Sequence, residues 1–264
     1  MEITSHHTRI HFFARSFCGF FFVVLVGSWI PESIQIGFVY LAVLPTTVSS
    51  AVVFTSLAGG NVVVAVFNTI VSNLLGVVLT PLLINLYMGA RVSSGGLESL
   101  GGLIQNIALL IVFPFVTGQF FRFFFVKKKM VFAKSLMGWV SQVVVLFIVF
   151  NTFADSFING VWSSQSLFLT VGVLGGVVLF SLGVLLIIIV GFRLMRLRPE
   201  ESSAMCFLTS HKTLATGVPM AKLIFLGRSD LALILLPLMF YHPLQLILSG
   251  LLVTRFKIAA EKLK

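Results

Sequence analysis

Acidic residues are scarce in this chain: 8 Asp and Glu in 264 residues, against 18 Lys and Arg. All charged residues together make up 10% of the sequence, where a soluble domain carries about 25%. That shortage excludes a soluble globule of this size, which would lack the polar surface to stay dissolved. Cysteine is rare too. Cys18 and Cys206 lie in or beside apolar segments with no CxxC spacing, so neither a disulfide scaffold nor a structural metal site is implied. No Asp or Glu falls deep in any apolar run, which argues against an intramembrane carboxylate relay or aspartyl protease. HExxH, GxSxG and a Walker A loop are absent, so metalloprotease, serine-hydrolase and ATP-driven readings have no support. The chain is not expected to be an enzyme.

What is plentiful is apolar. Hydrophobic residues make up 58% of the chain, and Phe occurs 28 times. Runs near or above the roughly 20 residues needed to cross a bilayer fall at 12–30, 36–57, 61–87, 99–121, 132–153, 166–192, 204–226 and 230–254. Eight such spans consume nearly the whole chain and leave no room for a soluble domain. The pattern predicts an all-α, multi-pass integral membrane protein, a single membrane domain over 1–264. Membrane lipid is its expected partner, and nucleic acid is not, despite a net charge of +10. Arg9 and Arg15 precede the first apolar run, which lacks a small-x-small cleavage site after it. It reads as a first spanning helix.

The basic residues orient these spans. Arg9 and Arg15, the group Arg122, Lys127, Lys128, Lys129 and Lys134, the trio Arg193, Arg196 and Arg198, and the tail after 256 all fall on one side of an eight-span chain. The positive-inside rule makes that side cytoplasmic, with both termini there and 257–264 as a cytoplasmic tail. Seven or nine spans would put one basic group on the wrong side.

Two segments depart from plain lipid-facing helix. Pro45 to Asn61 and Leu208 to Met220 are dense in Thr, Ser, Gly and Pro. Pro45, Gly59, Gly60, Gly217, Pro219 and Pro243 are the candidate helix breakers, because Pro removes an amide donor and Gly loosens a helix. Backbone groups freed at membrane depth must face protein or a wet cavity, and interrupted helices of this kind form ion or substrate sites near the midplane. Small polar residues also serve helix packing, but two long tracts favour a site. Lys212, beside His211, is the unusual ionisable residue. A lysine at that depth faces the bundle interior or snorkels to an interface. A buried ammonium could hold the place of a cation, attract an anionic substrate, or exchange a proton. Asn61, Asn68 and Ser72, with Asn73, could add polar groups from the third span, since Asn61 and Asn68 are seven apart.

The tract Leu44-Pro-Thr-Thr-Val-Ser-Ser-Ala-Val-Val-Phe-Thr-Ser-Leu-Ala-Gly-Gly-Asn61 resembles the signature of the bile acid/sodium symporter superfamily, in its bile acid symporter-like branch. Leu208 to Ile224 and Leu235 to Gln245 match that branch as well, and the resemblance runs from about Arg9 to Phe256. It implies an inverted-repeat transporter fold, with two discontinuous helices crossing in a core domain that rocks against a panel. It implies symport of a small-molecule solute, an organic anion or small amphipathic compound, in the bacterial inner membrane. Sodium or a proton would be the coupling ion. The chain looks as though it lacks the first two spans of that fold. Residues 12–97 would then be a remnant of the first repeat and 98–256 the second. A truncated non-transporting paralogue or a membrane interaction protein is the alternative. Sodium is held in the family by polar groups around the crossing. The matching positions are Thr46, Thr47, Ser49, Ser50, Thr55, Asn61, Asn68 and Ser72 on one side, and Ser210, His211, Lys212 and Thr213 on the other. Classical carriers place a carboxylate and amides on the second broken helix. This chain has Thr209-Ser-His-Lys-Thr213 instead, which implies that Lys212 replaces one cation.

Overall fold

The computed structural model describes residues 30–89, 167–195 and 199–261, with isolated helical positions between 102 and 158. The expected spans at 12–30, 99–121 and 132–153 lie wholly or largely outside the described residues. Among the described residues seven helices are continuous: α1 (Glu32–Val43), α2 (Val48–Leu57), α3 (Val62–Gly89), α4 (Leu167–Met195), α5 (Pro199–Ser210), α6 (Gly217–Ile224) and α7 (Leu231–Glu261). Among the described residues there is no strand. Three stretches of the described residues are long and apolar enough to cross a membrane: Val62–Gly89, Leu167–Phe192 and Leu231–Ile258. Helices α1 and α2, about 18 Å and 15 Å long by helical rise, are each too short. Taken together they are long and apolar enough, as a broken span or a re-entrant loop, with a bend of 56° at the break between them. The protein is an all-α membrane protein.

The chain divides into two compact units. One is drawn from Met1–Gly76, Gln165–Thr213 and Leu233–Lys264, the other from Val77–Ser164 and Leu214–Ala232. In the first unit α1 is the centre: every residue from Ile34 to Val43 is buried. A helix apolar all round is one enclosed by others. Gly37 is where it meets α7, because a Cβ there would strike the Ile234 carbonyl and the Pro237 ring. Phe180 of α4 fills the remaining side, its ring 6.4 Å from that of Phe38 and 5.8 Å from that of Tyr241.

Helix α2 runs antiparallel to α5. Its buried residues Ala51 and Thr55, with Ala58 just past its end, recur at the four- and three-residue steps of one helix face. Within α2 Phe54 stacks on Phe207, centroids 5.8 Å apart. Past its C-terminal end, Gly60 lies so close to Ser203 and to the Glu200 carbonyl that only hydrogen fits as its side chain. The Asn61 amide donates to the same Glu200 carbonyl at 3.1 Å. Gly59 ends α2 in the left-handed region, φ +70°, which glycine adopts without steric cost.

Several boundaries differ from the sequence reading. The segment expected at 204–226 begins earlier and is two helices. Pro199 opens α5 with Glu200 and Glu201 in the first turn, an arrangement that suits proline's missing amide and the helix dipole. Gly217 and Pro219 do not make the break. They stand in the first turn of α6, where amides have no intrahelical acceptor to lose. Pro243 does not break its helix either. Helix α7 runs through both Pro237 and Pro243, its 31 residues holding it together across two missing donors. In the second unit, the connection after α6 turns at Gly227, φ +81°. Beyond it Arg228 clasps Asp230 through Nε at 2.8 Å and Nη2 at 2.6 Å.

Candidate functional site

The break between α1 and α2 follows from one residue. Pro45 has no amide, so the Leu41 carbonyl loses its helical donor. The next donor is diverted: the Thr46 amide donates to Ser72 Oγ of α3 at 3.3 Å. In an unbroken helix it would have served the Ala42 carbonyl. The Thr46 carbonyl in turn accepts from Asn73 Nδ2 at 2.9 Å. Helix α3 can approach this closely because its stripe Ala65, Thr69, Ser72 and Gly76 is small and buried. A Cβ on Gly76 would lie 2.8 Å from the Pro45 ring.

The carbonyls so freed are taken from across the unit. Lys212 Nζ donates to Ala42 O at 2.6 Å and to Leu44 O at 2.8 Å. The Thr213 amide donates to Pro45 O at 3.2 Å. These donors come from the second break, 211–216, between α5 and α6. Lys212 is 2% exposed, so its ammonium does not snorkel to water. Its distances to the two oxygens are those of charge-assisted bonds.

Helix α7 holds the second break in position. The Gln245 amide pairs with both backbone groups of Lys212, accepting from its N–H at 2.7 Å and donating to its carbonyl at 3.1 Å. Tyr241 Oη donates to the Ser210 carbonyl at 2.5 Å. His211 is fully buried. Its Nδ1 lies 2.9 Å from Ser50 Oγ and its Nε2 2.6 Å from Ser249 Oγ, so one imidazole ties α2 to α7. Phe54 and Phe207 meet the same ring edge-on.

The expected residues therefore separate. Thr46, Ser50, Ser72, His211, Lys212 and Thr213 converge on the two breaks. Ser210 joins them through its carbonyl, while its hydroxyl turns back to the Cys206 carbonyl at 2.8 Å. Thr55 and Asn68 are buried but bond within their own helices, to Ala51 O at 2.7 Å and Val64 O at 2.9 Å. Thr47 precedes α2 and Ser49 faces outward. Asn61 is exposed, precedes α3, and caps it by accepting from the Val64 amide at 3.0 Å, so its seven-residue spacing does not place it with Asn68. Tyr241, Gln245 and Ser249 were not among the expected site residues. Their signal was a polar stripe at four-residue steps in an apolar helix.

Among the described residues, no three His, Cys, Asp or Glu side chains converge on a metal position. An alkali cation takes oxygens, and two places offer them. At the first, Thr46 Oγ1 is buried with no hydrogen-bond partner, beside Ser72. That orphaned hydroxyl suits an oxygen-seeking ion. At the second, the carbonyls of Ala42 and Leu44 hold the Lys212 ammonium, so a free cation does not fit there.

Short helices broken at buried, charge-bearing crossings, among helices long enough to span a bilayer, are the build of a membrane transporter. Comparison with known proteins places it further. Residues 4–258 match the SBF-like CPA transporter family, and the chain belongs to that family. It is 34% identical over 274 residues to "Putative symporter YfeH" of Escherichia coli (strain K12), covering 98% of this chain and 78% of that protein. It is 32% identical over 263 residues to Sodium/bile acid cotransporter 7 of Danio rerio, covering 95% and 76% respectively. The protein of that name from Rattus norvegicus is 31% identical over 284 residues, covering 97% and 77%. The family and these relatives are transporters, not enzymes.

Proposed function

We propose that this chain is a secondary transporter that carries an organic anion or small amphipathic solute by alternating access, driven by a coupled ion. The observation that carries the reading is the meeting of two helix breaks through the Lys212 ammonium and the Pro45 carbonyl. Exposed backbone and a buried positive charge are costly in a bilayer, and an anion-handling pivot gives both a use. The relatives named as sodium/bile acid cotransporters support sodium as the coupled ion. Thr46 and Ser72 would hold it, and its gradient would supply the driving force. In this reading the chain lies in a bacterial inner membrane with both termini cytoplasmic, 12–97 belongs to the first repeat and 98–256 is the second.

The test is uptake into proteoliposomes of a labelled bile acid and smaller organic anions, under imposed sodium or proton gradients. Gradient-dependent uptake is expected, with Lys212→Ala lower by at least about tenfold, the equivalent of 1.4 kcal/mol. Uptake no faster than into empty liposomes for every solute and gradient would end the transport reading. Unchanged uptake by Lys212→Ala would remove Lys212 from the mechanism.

A further inference from the structure

We propose that the Lys212 ammonium is a tethered cation occupying a carbonyl site at the first break, and that shortening the side chain opens that site to a free monovalent cation. The site is built by the break itself. Ala42 O would pair with the Thr46 amide in a continuous helix, and Leu44 O with the Val48 amide. The first donor is turned to Ser72, and Val48 instead opens α2. Both oxygens lie at the C-terminal end of α1, where the helix dipole contributes roughly half a negative charge. Freed carbonyls at such an end coordinate monovalent cations in interrupted membrane helices, as rings of carbonyls do in channel filters. Here one nitrogen meets both at 2.6 and 2.8 Å.

A second cation cannot share the pair. Two unit charges about 4 Å apart repel by ~4 kcal/mol at an effective dielectric of 20. The sequence has no Asp or Glu between Glu32 and Glu98, nor between Glu201 and Asp230, so these two stretches bring no carboxylate to offset it. The anchor is also built for fixed reach. Gln245 clamps both backbone groups of Lys212 and Thr213 is bonded to Pro45, so the Lys212 Cα cannot retreat from the oxygens. The inference deepens the proposed transport role, but no solute is needed to test it, so the two can fail separately.

The experiment measures thermal unfolding of the purified full chain in detergent, in N-methylglucamine chloride exchanged at constant ionic strength for sodium chloride or methylammonium chloride. Lys212→Ala is expected to melt below wild type in N-methylglucamine. It should then gain a saturable rise of about 3–5 °C from methylammonium or sodium, beyond any rise the wild type shows. An equal response in wild type and Lys212→Ala overturns the proposal. Should Lys212→Ala not fold, the pair Lys212→Arg and Lys212→Met decides by yield of monodisperse protein. Arginine, which keeps the charge, is expected to exceed methionine, which keeps the length. Arginine no better than methionine overturns the proposal.

Discussion

Gln245 applies its one amide group to both backbone groups of Lys212, and its Nε2 also lies 3.0 Å from His242 Nδ1. Its donor and acceptor replace, at Lys212, the two helical bonds lost where α5 stops. Side-chain hydrogen bonds between membrane helices average only about 0.6 kcal/mol, because the same groups also find partners in the unfolded state within the membrane. A buried backbone amide and carbonyl at a helix break are harder to re-pair, and each costs about 1–3 kcal/mol when its partner is removed. Gln245→Ala is therefore expected to destabilise the purified protein by about 2 kcal/mol or more. Ser50→Ala, which leaves His211 its bond to Ser249, should cost under about 1 kcal/mol. Unfolding of both variants in one detergent, followed by circular dichroism, makes the comparison. Equal losses would mean that Gln245 is merely one more polar contact.

At the scale of elements, close approach sets the geometry. Helix α3 reaches the first break only because residue 76 is glycine, against the Pro45 ring. Gly76→Ala should cost about 1 kcal/mol and Gly76→Leu about 3 kcal/mol, the range for overpacking. Sodium-dependent effects should weaken alongside, since Ser72 and Thr46 would move apart; a melting series with and without sodium checks both. Much of this layout was legible in the sequence. The Thr, Ser, Gly and Pro tracts marked both interrupted spans, and Pro45 and Lys212 fell at the breaks. The fate of the individual breakers was not legible. A proline's local penalty is the same at Pro45 and Pro243, and only neighbouring helices decide that one ends a helix while the other is carried through. The bridge from Ser50 to His211 joins residues 161 apart, a pairing that no local pattern encodes. The four-residue spacing of Tyr241, Gln245 and Ser249 was visible, yet it pointed to a face without naming its partner.

For the molecule as a whole, composition and charge carried the argument furthest. The scarcity of acids and the length of the apolar runs were enough to give an all-α membrane protein. The distribution of Lys and Arg then yields a topology open to direct measurement. A green fluorescent protein fused after Lys264 should fluoresce, and alkaline phosphatase fused at the same point should be inactive, if the tail lies on the cytoplasmic side that the positive-inside rule predicts. A cysteine replacing Ser229, in the connection that holds the Arg228–Asp230 pair, should react with an impermeant maleimide added outside. The opposite labelling pattern would invert the orientation. What lay beyond composition was the arrangement of the two breaks, which depends on distant segments meeting.

Every contact described above between the first break and Lys212, Thr213, Ser72 or Asn73 is made through its backbone: the carbonyls of Ala42, Leu44, Pro45 and Thr46, and the amide of Thr46. Peptide groups are common to all residues, so other side chains at Ala42 and Leu44 would leave these bonds in place, whereas Pro45 must stay to withhold its amide. Pro45 makes the break, but the partners that satisfy it are encoded elsewhere in the gene, in the codons for Ser72, Asn73 and Lys212. A change at any of those three would rewrite a structure whose own letters had stayed the same.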